Sequence, residues 1–155
     1  MDLRQIYGDI AKQIAGKRDS TQPYLFVEDF DSVATYLFSK TVQIEKALIA
    51  DDERRIRREI ACFTATVLDV LEHWDGNWCL RNPKFTRGKF LNPSELTKDL
   101  RFCLLEMFEN FKRQAHISRD VGIGLELLLK RSIELSYKLD FDLAMALFEY
   151  LREEK

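Results

Sequence analysis

The stretch IRREIACFTATVLDVLEHW, residues 56–74, decides the fold. Its large apolar residues Ile56, Ile60, Phe63, Val67, Val70 and Trp74 are spaced 4, 3, 4, 3 and 4 apart, the period of a helix that buries one stripe. Such a seam serves either the central helix of a bundle or a coiled-coil dimer contact. Fewer than three heptads are present, so a central bundle helix is the simpler expectation, and the seam also permits a homodimer. Asp51, Asp52 and Glu53 precede it and suit the positive end of a helix dipole.

The same period continues on both sides. Upstream, Val33, Leu37, Ile44 and Leu48 share a face of a helix expected over about 31–50. Before that, Leu3, Ile6, Ile10 and Ile14 stripe a first helix that Asp2 can cap and that Gly16 is expected to end. Downstream, Asn92, Pro93 and Glu95 form a start signal for a helix with the stripe Leu96, Leu100, Cys103, Met107 and Phe111. Leu125, Leu128, Leu129 and Ile133 mark a fifth helix, and Asp140 or Asp142 opens a last one through Leu143, Leu147 and Leu151. Gly122 and Gly124 are expected to loosen the first turn of the fifth helix or let it approach a neighbour closely. Short turns favour antiparallel neighbours. The expectation is an all-α fold, a compact antiparallel bundle of five to six helices forming one domain over residues 1–155.

Composition narrows the class of protein. With 46% hydrophobic and 32% charged residues, the chain is neither disordered nor a rod. A formal net charge of −2 excludes attraction of the whole molecule to nucleic acid or acidic lipid, though a local basic patch is compatible with it. No run approaches the roughly 20 apolar residues of a membrane span, so no membrane partner is expected. The N-terminal sequence lacks the apolar core of a signal peptide. Cys62, Cys79 and Cys103 are odd in number and far apart, which points to reduced thiols and a cytoplasmic location.

Motifs for chemistry are weak. Paired acids occur as Glu28/Asp31, Glu72/Asp75 and Glu106/Glu109. All-α nucleotide pyrophosphohydrolases of the MazG type bind Mg²⁺ through an ExxE followed by an ExxD, and here the order is reversed. A metal-dependent nucleotide hydrolase with a degenerate motif is therefore the third reading. Asp69, Glu72 and His73 can share a helical face, where a solvated polar surface is the simpler account. Neither His73 nor His116 has a glutamate three residues before it, as a di-iron bundle requires. No cofactor and no metal are expected, and a binding protein is favoured over an enzyme.

Two basic features remain. The long segment 75–91 interleaves Arg81, Lys84, Arg87 and Lys89 with Trp78, Phe85 and Phe90. Arginines beside aromatics suit an acidic protein partner, and they also suit stacking on single-stranded nucleic acid. The second feature is Arg54, Arg55, Arg57 and Arg58, which can pair along their own helix as Glu53/Arg57 and Arg55/Glu59. If the helices at 56 and 93 run antiparallel, Lys112 and Arg113 return to this end and enlarge the basic pole. The leading expectation is a protein-protein interaction module of adaptor, inhibitor or immunity type, with Trp78, Arg81, Phe85 and Arg87 as first contacts. The alternative is a nucleic-acid-binding protein using the basic pole, the segment 75–91 or both.

Overall fold

The computed structural model describes residues 2–21, 30–74, 78–80, 93–113 and 118–153. Six helices account for nearly all of them: α1 (Leu3–Thr21), α2 (Phe30–Ile49), α3 (Glu53–Trp74), α4 (Pro93–Arg113), α5 (Ser118–Lys138) and α6 (Leu143–Glu153). No strand occurs among the described residues. The expected all-α bundle is the fold, with six helices among the described residues.

The seam of α3 explains the assembly. Ile56, Ile60, Phe63, Val67 and Val70 are each no more than 6% exposed, and Leu68 and Leu71 beside them are fully buried. With so wide an apolar stripe, α3 packs on α1, α2, α5 and α6 at once. Helix α4 completes the bundle on the far side, against α2 and α5. The seam is thus consumed within the chain and is not free for the dimer contact it also permitted.

Helix directions follow from cross-helix pairs. Tyr36 meets Cys62, Lys40 meets Glu59 and Arg55 meets Gln43, so α2 and α3 are antiparallel. Arg101 bonds Thr41 and pairs with Glu45, whereas Leu105 lies with Ala34 and Phe38, so α4 is also antiparallel to α2. Helices α3 and α4 therefore run in the same sense. Lys112 and Arg113, on the last turn of α4, lie toward the opposite end of the bundle from Arg54 and Arg55. The enlarged basic pole is not formed.

Two connectors share one design. After α2, Asp51 takes φ 54°, Asp52 N–H donates to the Ala47 carbonyl and Asp51 N–H to that of Leu48. After α5, Asp140 takes φ 61°, Phe141 N–H donates to Ser136 and Asp140 N–H to Tyr137. Both are Schellman closures with aspartate where glycine is usual, a left-handed position that a short polar side chain tolerates. The next aspartate in each then caps the following helix: Asp52 Oδ1 accepts from Arg55 N–H at 3.2 Å, and Asp142 Oδ1 from Met145 N–H at 3.2 Å.

The structure departs from two expectations placed on glycines. Helix α1 runs through Gly16 to Thr21, and a Cβ added at Gly16 would meet nothing. A Cβ added at Gly122 would also meet nothing, so that glycine marks no close approach.

Candidate functional site

The face of α3 adjoining the seam carries Arg54, Arg55, Arg58, Glu59, Cys62, Ala65, Thr66 and Asp69. These residues recur near every fourth position, so they form a strip about 22 Å long at 1.5 Å rise per residue. This strip is the floor of a groove of about 670 Å³, walled by Tyr36 and Lys40 of α2 and by Tyr150 of α6. The volume lies in the range of ligand pockets, and the length suits an extended ligand.

Polar side chains make up most of the residues lining the groove. At its centre the Tyr36 hydroxyl lies 3.0 Å from Cys62 Sγ, and the Tyr150 hydroxyl donates to the same sulfur at 3.3 Å. Thr66 Oγ1 donates to the Cys62 carbonyl at 3.1 Å. Lys40 Nζ lies 3.1 Å from Glu59 Oε2, and both side chains are largely shielded. Burial works against the Lys40 charge, but the neighbouring Cys62 and Glu59 more than offset it and hold its pKa above the ordinary lysine value. Arg55 Nη2 donates to Gln43 Oε1 at 2.9 Å. Glu59 and Arg55 thus reach across to α2 rather than pairing with each other along α3.

Arg54 and Arg58 differ from these neighbours. Both are exposed, and among the described residues neither makes a hydrogen bond or ion pair. One helical turn apart, they line the groove and also a smaller hollow of about 240 Å³ on its α6 side, with Glu53, Arg57, Glu149 and Glu153. Arg57 is on that second side only, its guanidinium 5.8 Å from the centre of the Phe141 ring.

The segment 75–91 fares differently. Trp78 is 2% exposed and belongs to the core, which does not fit a side chain offered to a partner. Arg4 stacks over its ring at 3.6 Å and donates from Nε to its carbonyl at 2.6 Å. Trp78 Nε1 donates to Glu72 Oε1 at 3.2 Å, and Cys79 N–H donates to Glu126 Oε1 at 2.8 Å. A tryptophan with its N–H satisfied and its face covered by a cation is a clasp between α1 and α3, and Cys79 beside it adds the tie to α5. Gly8 leaves room for it, since a Cβ there would run into the Arg4 guanidinium. Arg81, Lys84, Phe85, Arg87 and Lys89 lie outside the described residues.

Among the described residues no group of three or more His, Cys, Asp or Glu side chains is placed to hold a metal ion. Asp69 is 2% exposed, and Glu72 is engaged by Trp78. No helix among them is long and apolar enough to cross a membrane. Comparison with protein families, with curated proteins and with solved structures returned no match.

Tyr36, Lys40, Cys62 and Tyr150 were not among the residues expected at a site. Cys62 meets Tyr36 from 26 residues away and Tyr150 from 88. The one signal in the sequence was the polar and small strip at 54, 58, 62, 66 and 69 on an otherwise buried helix.

Proposed function

We propose that this chain is a protein-interaction module that takes an acidic segment of a partner protein into the groove along α3. The observation that carries the reading is the exposed pair Arg54 and Arg58 on the floor of a groove about 670 Å³ in volume. Arginine presents a planar fork matched to carboxylate and phosphate oxygens, and it keeps its charge at any physiological pH. The tyrosines on the walls and Thr66 on the floor line the groove with hydroxyl groups, which can accept as well as donate, toward the backbone of an extended ligand.

The acids around the arginines favour a protein over a nucleic acid. A phosphate backbone carries a charge at every nucleotide, and following the groove it would pass Asp52, Glu59 and Asp69. A protein segment can place one anionic side chain at the arginines and uncharged residues elsewhere.

Binding of an array of short peptides containing two glutamates, compared between the wild type and the charge reversal R54E/R58E, tests the reading. Saturable binding of a subset that the double variant loses is the expected result. Binding that the reversal leaves unchanged would show that the arginines contribute nothing, and the groove assignment would fall.

A further inference from the structure

We infer that the anionic group this groove takes is a single phosphorylated side chain, an inference that rests on the acidic-segment reading above and specifies it. The argument is one of local charge. Lys40 is matched by Glu59 at 3.1 Å. Arg55 is turned to α2, where its Nη2 donates to Gln43 Oε1 at 2.9 Å. Asp69 lies eleven residues beyond Arg58, about 16 Å along the helix. Two guanidinium groups are left without a hydrogen bond or ion pair among the described residues, those of Arg54 and Arg58, one turn apart on the groove floor. A carboxylate carries one charge and two oxygens, enough for one guanidinium fork. A phosphomonoester carries close to two charges and three oxygens, enough for both.

Competition inside the protein sharpens the choice. Glu149 and Glu153 of α6 share the adjoining hollow with the same two arginines. A ligand carboxylate brings the arginines no more than either nearby glutamate does, and gains little. A phosphate dianion bridging both guanidinium groups outbids them on charge and on hydrogen-bond count. The same glutamates would welcome a lysine or arginine next to the phosphorylated residue, on the α6 side. The remaining strip, from Cys62 to Asp69, holds no further free cation among the described residues, so one phosphate and not a row of them is matched. At 3.3 Å per residue the 22 Å strip takes roughly six or seven extended residues.

The test uses an array of hexapeptides with a degenerate background and a central phosphoserine, beside twins with serine or glutamate at that position. Affinities of hits are read by fluorescence anisotropy at fixed ionic strength. Phosphoserine peptides are expected to bind about tenfold or more tightly than their serine twins, the scale of a charge-assisted bidentate contact. Hits should be enriched in a basic residue beside the phosphoserine. R54K/R58K should lose most of that gain although it keeps both charges, and K12A, on the remote α1, should keep it.

Equal binding of phosphoserine and glutamate peptides, both lost in R54E/R58E, would overturn the phosphate inference and leave the acidic-segment reading standing. Failure of all three peptide classes would sink both. A phosphate gain that survives R54A/R58A would place the phosphate elsewhere and overturn the inference. Tighter binding of a single-stranded oligonucleotide, abolished by the same variant, would hand the site to nucleic acid and overturn it too.

Discussion

The two faces of α3 do opposite things with neighbouring residues. On one, Ile56, Ile60, Phe63, Val67 and Val70 disappear into four other helices. On the other, Arg54, Arg58, Cys62 and Thr66 floor a groove that α2 and α6 flank but do not close. One side spends its surface on cohesion, and the other leaves two cations, Arg54 and Arg58, exposed and without a hydrogen bond or ion pair among the described residues. A helix held so firmly on one face can present the other rigidly, which limits the ordering cost of binding.

The contrast breaks most visibly at Phe63. It is fully buried, and Phe63→Ala is expected to cost about 3–5 kcal/mol from lost burial and the cavity left behind. Urea unfolding followed by circular dichroism measures it, and a cost below about 1 kcal/mol would mean that the seam is not the centre of the core.

The difference between the faces also decides how much was readable beforehand. The seam follows from periodicity alone because a buried stripe repeats with the helix, and the Asn92-Pro93-Glu95 signal placed the start of α4 at Pro93 because caps act locally. The overrun of α1 past Gly16 was not readable, since a glycine costs a helix only about 1 kcal/mol and need not end it. The burial of Trp78 was hidden for a similar reason: its partners Arg4 and Glu72 sit on two different helices. The groove lay beyond periodicity altogether. The arginines stood out as a charge run, but Tyr36, Lys40 and Tyr150 join them only through the packing of α2 and α6 on α3. The direction of α4, fixed by Arg101 against Glu45 and Thr41, likewise could not be read from the turn lengths, and Lys112 and Arg113 were assigned to the wrong end.

Titration offers a second way to separate the faces. Groups in the core are held neutral: burial raises the Cys103 thiol from its ordinary 9.0 to about 11, and Asp99 adds to the shift. Burial, with Asp142 nearby, pushes the Tyr7 phenol in the same direction. In both cases the folded state keeps a proton that the unfolded chain releases, so the stabilisation is complete below the unfolded pKa and is lost as pH rises. For Cys103 the window runs from pH 9 to about 11. Stability measured across that window should fall, and Cys103→Ala should make the fall shallower. An unchanged slope would show that Cys103 is not screened from water. Over neutral pH the exposed Cys79 should react with a thiol reagent far ahead of buried Cys103.

A smaller effect is expected where the two faces begin. Asp52 caps α3 at the mouth of the groove, as Asp142 caps α6. Asp52→Ala and Asp142→Ala should each cost about 1 kcal/mol, the usual worth of a capping side chain. Only the first should also alter peptide binding, because Asp52 lines the groove and Asp142 does not. Equal binding losses from both substitutions would mean that helix stability, and not groove charge, sets affinity.

The smallest stability change carries the sharpest form of the contrast. Arg54 and Arg58 are exposed and unpartnered among the described residues, so R54A/R58A removes no packing and strands no buried charge. Surface substitutions of this kind stay within about 0.5 kcal/mol, and relief of repulsion between the two cations can even tip the sign toward stabilisation. A groove built for a ligand should therefore give up its binding with its stability intact, the reverse of Phe63→Ala. Unfolding curves and peptide titrations on the same R54A/R58A preparation measure both quantities. Destabilisation by more than about 1 kcal/mol would reveal a structural role for the arginines, in cohesion with the glutamates of α6. In that case both faces of α3 would serve the fold.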